Sequence, residues 1–386
     1  DEVQNIPYKY WNLLSEILYT LSEKYNTWII LMTATTPMLF KEGQYTPIVE
    51  KEYTQKYYRS FNRVLYKSDF NINKLEDLPL KIYKLFDETN DNILIILNRI
   101  SAVKTLYLKL KELYDGGETD RYGIFRNEKK KIKIINLSTN IIPIHRFLRI
   151  NEIKKNDGYK KIIISTQLIE AGVDISTKIV YRDIAPIDSI FQSGGRCNRE
   201  YEYGDRGGIV YILNLKDENG PLWKYVYDSV LIETVNEILK NRKEFEEKDI
   251  REIIKEYFEK LINKKAVNKS ILESIKKFRF SDINEFKLIE EKYPKEDIFV
   301  EIDDEAIKIL KKFENLSSIK NPFERKNEFL KFKGEFYNYV VSVPENIVQN
   351  ISIEKIGEIY IIHKEDLENI YDLETGIKVY NGALIL

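Results

Sequence analysis

Short apolar runs alternate with helix-spaced apolar residues along most of the first 215 positions of the chain. Between Tyr8 and Tyr25, the residues Trp11, Leu14, Ile17, Leu18 and Leu21 recur at three- and four-residue intervals, which predicts an amphipathic helix. The run Trp28-Ile29-Ile30-Leu31-Met32 is continuous and ends in Thr33-Ala34-Thr35-Thr36-Pro37, the pattern of a fully buried parallel strand with a polar carboxyl tip. Residues 41–75 are rich in Tyr and Lys and read as a connector holding an edge strand or two. A second series follows, with strands over 92–98, 131–137, 161–165, 179–183 and 208–213 and helices over 101–114 and 146–155. Such alternation predicts an α/β fold, a parallel sheet flanked by helices. Ligands bind at the carboxyl ends of the strands in open sheets of this kind.

The pattern changes at Lys216-Asp217-Glu218-Asn219-Gly220-Pro221, a stretch of linker composition. Beyond it, 226–264 read as Glu- and Lys-studded helices, 265–315 are mixed, and 335–386 read as short strands around Tyr, Val and Ile. A length of 386 residues fits two or three domains with cores large enough to need no disulfide or metal staple. One cysteine excludes a disulfide framework or a Cys-rich zinc site, and two histidines exclude most metal-hydrolase constellations. The 61 basic and 62 acidic residues nearly cancel, so nucleic-acid binding must use a local groove rather than a basic coat. No apolar run reaches the ~18 residues of a membrane span, and the expectation is a soluble, cytoplasmic protein without a membrane partner.

Candidate chemistry gathers at strand tips. Thr33-Ala34-Thr35 ends the first, and Asp1-Glu2 lies about thirty residues earlier. The second tip is Ser165-Thr166-Gln167 running into Glu170-Ala171-Gly172-Val173-Asp174-Ile175. The third is Asp183-Ile184-Ala185-Pro186, leading to Gln192-Ser193-Gly194-Gly195-Arg196-Cys197-Asn198-Arg199. Adjacent carboxylates can hold Mg²⁺ and polarise an attacking water. Arginines spaced i and i+3 on a helix present two guanidinium groups to one phosphate cluster, and Gly194-Gly195 let backbone approach a ligand.

This series resembles motifs II, III, V and VI of superfamily 2 helicases, in the wording of the CRISPR-associated helicase-nuclease of type I systems. Leu137-Ser138-Thr139-Asn140 with His145-Arg146, and Tyr371-Asp372 before Glu374-Thr375-Gly376, are similar to further segments of that family. The resemblance implies a C-terminal remnant of a first RecA-like lobe over 1–50, a second RecA-like lobe over 51–215, and an α+β accessory domain over 216–386. It implies an ATP-dependent single-stranded DNA translocase that works in CRISPR interference with ATP and Mg²⁺. Its implied partners are single-stranded DNA, the crRNA-guided surveillance complex, an HD nuclease domain or subunit, and a first RecA-like lobe bearing the P-loop. By the same resemblance Asp1 holds Mg²⁺, Glu2 activates water, and Gln4, Thr33 and Thr35 couple hydrolysis to movement. Thr166 touches the DNA backbone, Gly172 and Asp174 line the nucleotide cleft, Gln192 and Gly195 meet the phosphates, and Arg196 and Arg199 act as finger residues.

Two departures matter. Gln4 stands where helicases of this group carry His, and no Gly-x-x-x-x-Gly-Lys-Ser/Thr loop occurs in the 386 residues. The chain by itself is therefore expected not to hydrolyse ATP and reads as the C-terminal portion of a helicase that begins at motif II. A generic superfamily 2 RNA or DNA helicase, and a non-hydrolysing module that binds DNA or the complex, are the alternatives. Cys197 reads as part of motif VI rather than as a nucleophile, and His145 as the start of a helix. Glu301 with Asp303-Asp304-Glu305 reads as an acidic helix N-terminus rather than a metal patch.

Overall fold

The computed structural model describes residues 3, 6–33, 39–40, 43–170, 172–264, 270–284, 287 and 294–378. Helix α1 (Trp11–Tyr25) forms where the apolar spacing predicts it, yet only its first turn is covered, by Trp11 and Leu13. Trp11 packs edge-on against Phe258 at 5.1 Å between ring centroids, and the Tyr8 hydroxyl donates to Asp228 at 3.0 Å. The expected strand over 28–32 is not formed. Trp28 is 93 % exposed, Ile30 68 % and Met32 54 %, and no described strand pairs with them. A buried strand needs neighbours that cover both faces and take up its N–H and C=O groups. Here the Met32 carbonyl accepts one long bond, from Val3 N at 3.4 Å.

After α2 (Lys51–Ser60), strands β1 (Val64–Ser68) and β2 (Ile93–Ile96) enter a large sheet. Helix α3 (Leu78–Glu88) lies between them and α4 (Ile100–Leu113) follows. The short strands β3 (Glu118–Thr119) and β4 (Phe125–Asn127) lead to β5 (Ile132–Leu137), α5 (Pro143–Lys154), β6 (Lys160–Ser165), β7 (Ile179–Asp183), α6 (Ile187–Gly194) and β8 (Gly208–Leu213). A small hairpin, β9 (Lys216–Asp217) and β10 (Gly220–Pro221), precedes α7 (Ser229–Lys240), β11 (Glu244–Glu246) and α8 (Ile250–Asn263). The sheet order is β11-β1-β8-β7-β2-β6-β5-β4-β3, and the run from β1 to β5 is parallel throughout. β1 therefore lies one place in from the edge, where the sequence suggested an edge strand, because β11 pairs antiparallel outside it.

Alternation along single strands builds two cores. Leu94 and Ile96 face one core with Val180, Ile190, Ile238 and Phe258. Ile93 and Ile95 face the other with Leu78, Phe86, Leu106 and Tyr181. Continuous apolar runs are the signature of strands covered on both faces. The first core also takes in Ile232, Val235, Ile253, Tyr257 and Leu261, so packing carries the lobe past the composition break at 216 to the end of α8.

Beyond α9 (Ser270–Lys276) and α10 (Phe280–Asn284) a smaller unit has its own core of Ile298, Phe299, Leu310, Phe336 and Val341. Its strands β12 (Lys295–Val300), β13 (Val340–Pro344), β14 (Glu354–Ile356) and β15 (Ile359–Ile362) take the order β13-β12-β15-β14. Helices α11 (Asp304–Asn315) and α12 (Pro322–Tyr337) connect β12 to β13. Asp303 caps α11 by accepting from Ala306 N at 2.8 Å, which accounts for the acidic cluster as a helix start.

The last hairpin, β16 (Tyr371–Asp372) and β17 (Gly376–Ile377), returns to the large sheet. The fully buried Arg149 of α5 donates to the carbonyls of Tyr122 (2.8 Å), Asn136 (2.7 Å), Glu374 (3.1 Å) and Leu373. Asn140 donates to the carbonyls of Thr375 at 3.1 Å and Ile377 at 2.9 Å. Asp372 shapes the turn by accepting from the backbone N–H of Glu374 and Thr375. Among the described residues no helix is long and apolar enough to cross a membrane.

Candidate functional site

The second and third tips meet at the carboxyl ends of β6 and β7. The Ser165 hydroxyl donates to the Leu137 carbonyl at 2.9 Å and closes the end of β6 onto β5. Thr166 follows, 5 % exposed and extended, and opens a single 3₁₀ turn over Gln167–Ile169. Gly172 has φ +72°, and a Cβ built there would meet nothing within 4 Å, so the loop crest is left-handed and borders open space. The chain returns to the sheet at Thr177, which bridges to Cys197: Thr177 N donates to the Arg196 carbonyl (3.0 Å) and Asn198 N to the Thr177 carbonyl (2.9 Å). That bridge sets the loop 166–176 beside the segment 195–199.

The two arginines do not share a helix face. Helix α6 ends at Gly194; the chain then turns, and Asn198 is left-handed at φ +45°. The helical i, i+3 pairing therefore fails, because the ladder stops before either residue. Each arginine instead reaches a different part of the neighbouring loop. Arg196, 8 % exposed, donates from Nε to the Ile169 carbonyl (3.0 Å) and from Nη2 to the Glu170 carbonyl (2.6 Å). Burial, with Arg199 adding to it, lowers its pKa. Arg199 pairs with the exposed carboxylate of Asp174 at 3.0 Å, while its backbone N–H donates to the Ser176 hydroxyl at 3.0 Å.

Gly194 also serves a purpose other than the expected one. A Cβ at Gly194 would lie 2.0 Å from the Tyr66 hydroxyl, so this glycine permits the close approach of α6 to β1. At Gly195 a Cβ would press on the Gln192 carbonyl at 3.1 Å. Gln192 is half-buried on the last turn of α6. Cys197 is fully buried against Gly208, and burial pushes its thiol well above the usual range, which removes it as a nucleophile. Thr33 is half-buried and follows the stretch 28–32, and Asp1, Glu2, Gln4 and Thr35 lie outside the described residues.

Beneath the two loops lies a polar network that the sequence reading did not assemble. Glu170 accepts from the hydroxyls of Ser189 (2.5 Å) and Ser193 (2.9 Å) and pairs with Arg182 Nε at 2.9 Å. Arg182, fully buried, also donates to Asn98 Oδ1 (2.6 Å), Ser189 Oγ (3.0 Å) and the Tyr227 hydroxyl (3.0 Å). Asn98 in turn donates to Asp183 Oδ2 at 2.5 Å, and burial pushes the Asp183 carboxyl up to about 7. The available signals were an Arg-Asp pair closing the apolar run Ile179-Val180-Tyr181 and two serines one helical turn apart.

Residues 89–202, which hold β2 to β7, α6 and both arginines, match the family model described as CRISPR-associated nuclease/helicase Cas3, C-terminal. This stretch is similar to the C-terminal part of the Cas3 nuclease/helicases. The Cas3 nuclease/helicase of Haloferax volcanii is 28 % identical over 294 residues, covering 56 % of this chain and 31 % of that protein. That of Methanothermobacter thermautotrophicus is 28 % identical over 164 residues, covering 41 % of this chain and 17 % of its own length. The chain thus spans about a third or less of these Cas3 relatives. Solved T. fusca Cas3 covers 82 % of this chain and 40 % of its own length, with a TM-score of 0.52 at 11 % identity. T. fusca Cas3 with AMPPNP gives 0.51 at 12 % identity over the same 82 % and 40 %. These likenesses establish the fold alone, a mixed α/β arrangement with a large, mostly parallel sheet flanked by helices and with additional sheets, similar to that of the Cas3 structures.

Proposed function

We propose that the chain supplies the second RecA-like lobe and the accessory unit of an ATP-dependent single-stranded DNA translocase acting in type I CRISPR interference. The observation that carries this reading is the Arg199–Asp174 pair beside the Arg196 clasp on Ile169 and Glu170, which joins motifs V and VI at the strand tips. The residues present fit a nucleotide phosphate group. The loop crest at Gly172 borders open space, and Arg199 is partly exposed and pairs with two solvent-exposed carboxylates, Asp174 at 3.0 Å and Glu200 at 3.8 Å. An exposed ion pair of this kind is worth about 0–1 kcal/mol, so the guanidinium can leave Asp174 for a phosphate at little cost. ATP, when bound with Mg²⁺, supplies the phosphoryl group whose developing charge Arg199 neutralises.

In this reading Arg196 holds the turn 167–170 in place, Gln192 and Gly195 face the phosphates, and Gly172 and Asp174 line the cleft. Thr166 meets the DNA backbone where β6 ends. Asp1 would hold Mg²⁺, Glu2 would activate water, and Gln4, Thr33 and Thr35 would relay the nucleotide state. We further place the boundary between lobe and accessory unit after α8 rather than at 216, since α7, β11 and α8 share the lobe's core. A first lobe with the P-loop completes the cleft, an HD nuclease receives the strand, and the crRNA-guided surveillance complex recruits the assembly.

The test is ATPase activity with single-stranded DNA, measured for the chain alone and with a P-loop-bearing first lobe supplied. Silence alone and DNA-stimulated turnover on supplementation support the reading, provided Arg199→Ala abolishes that turnover. Equal stimulation by RNA points to a generic superfamily 2 helicase, and DNA binding without turnover in either form to a binding module.

A further inference from the structure

We infer that Glu170 is a positioning residue that makes the turn 166–170 and the segment 192–199 one rigid unit. This rests on the proposed translocase reading for its functional consequence, but its structural part stands without it. Three kinds of contact converge on this one residue. Its side chain takes the hydroxyls of Ser189 and Ser193, which lie one turn apart on α6, and so fixes the helix that carries Gln192. Its carbonyl accepts from Arg196 at 2.6 Å, so the same residue also anchors the segment after that helix. Its carboxylate also pairs with Arg182 near the end of β7, which ties both to the sheet.

The arrangement is almost wholly buried. Ser193 and Arg182 have no exposure, and Glu170 and Ser189 are each 8 % exposed. Buried hydrogen-bonded groups hold one geometry where leaving it unpairs them in low dielectric. It would unpair the Ser189 and Ser193 hydroxyls on the Glu170 carboxylate, which Arg182 Nε meets at 2.9 Å as an ion pair without hydrogen-bond geometry. A displacement of Thr166 or Ile169 must therefore move Glu170, and with it Ser189, Ser193 and Arg196. The exposed Arg199–Asp174 pair is a weaker connection between the same loops. Glu170 touches neither nucleotide nor DNA in this account and acts through Arg196 and α6.

Hydrogen exchange on the chain itself tests the unit. Glu170→Gln removes the charge and keeps the shape. Ser189→Ala with Ser193→Ala removes the two hydroxyl donors and keeps the Glu170–Arg182 pair, so the two variants probe the unit through different contacts. Both are expected to raise exchange in peptides covering 166–172 and 192–199 together, about tenfold, with β12–β15 unchanged. Faster exchange in only one of the two segments overturns the inference. In the supplemented helicase, the same variants are expected to lower the DNA-stimulated kcat at least tenfold while the KM for ATP changes less than threefold. An unchanged ratio of stimulated to basal rate leaves a purely structural role and overturns the functional part. Absence of DNA stimulation in the wild type rejects the translocase reading alone, with the exchange result standing by itself.

Discussion

Arg199 and Asp174 meet at 3.0 Å between the segment after α6 and the loop after β6, whereas Arg196, three residues earlier, is buried against the carbonyls of Ile169 and Glu170. The two arginines of one motif thus occupy different environments, and their substitutions separate. Arg199→Ala loses an exposed pair worth about 0–1 kcal/mol and leaves the melting temperature within about 2 °C. It lowers DNA-stimulated turnover of the supplemented helicase by about 10³-fold or more. Thermal melts and steady-state ATPase rates check both halves.

Arg196→Ala has a mixed effect. Two hydrogen bonds from a charged donor to buried carbonyls are lost, costing about 2–4 kcal/mol in stability, and turnover falls with them. Denaturant unfolding of the chain measures the first. A variant as stable as wild type would show that Arg196 is not the strut described above.

Gly194→Ala is expected to destabilise the fold by about 1–3 kcal/mol, since its Cβ would lie 2.0 Å from the Tyr66 hydroxyl and 2.8 Å from Cζ. Adding Tyr66→Phe removes the nearest atom and is expected to recover part of the loss. A double-mutant cycle in urea reads the coupling.

Arg149→Met removes the donor that four carbonyls share, two of them on the tail. The expected loss is about 3–5 kcal/mol, of the size seen when a buried charged group is taken from its partners. Limited proteolysis is expected to cut between 363 and 378 in the variant under conditions that leave the wild type whole.

His145 carries a pH dependence. Burial, with Arg149 beside it, pushes the imidazole down to about 4, below the ordinary value near 6.5. A folded-state value below the unfolded one gives stability that is present above pH 6.5 and is lost as pH falls toward 4, roughly 3 kcal/mol in all. Asp183, raised to about 7 by burial, acts in the opposite sense: its contribution is full below about 4 and disappears as pH rises through 7. The quantity to measure is therefore the difference in unfolding free energy between wild type and His145→Gln from pH 4 to 8, which is expected to shrink toward pH 4.

Cys197 is the single cysteine, so its labelling reports one site. Burial raises the thiol and shields it, and iodoacetamide at pH 8 is expected to modify the native chain at least 100-fold more slowly than the chain in denaturant.

The sequence by itself determined five neighbouring parallel strands of the large sheet, β8, β7, β2, β6 and β5. Runs such as Ile93-Leu94-Ile95-Ile96 and Lys161-Ile162-Ile163-Ile164 cannot be solvated on either face, and their lengths admit little else. It also determined which segments would carry the motifs, because a polar tip after an apolar run can only emerge at a strand end. The helix spacing at Trp11 to Leu21 was equally legible, although the partner that covers its first turn, Phe258, lies far along the chain. Local pattern did not reveal that α7, β11 and α8 belong to the lobe, since a linker-like composition at 216 breaks the chain's texture without breaking the core.

Only the tertiary structure decided the fate of individual polar groups. The run Trp28–Met32 has the composition of a buried strand, but a strand is a relation to neighbours, and none of the described strands lies beside it. Arg196 and Arg199 look equivalent in sequence and differ because a helix ends between Gly194 and Gly195, which sends one guanidinium inward and leaves the other at the surface. Of Glu170, Arg182 and Arg149, Arg182 alone carries a local signal, closing an apolar run with Asp183, and that signal does not say which partners the fold brings to it. Apolar periodicity is read from a few consecutive residues. The partners of a buried charge are fixed by which strands and loops the fold brings together, and in the cold arithmetic of desolvation a charge stays buried only where those partners are complete.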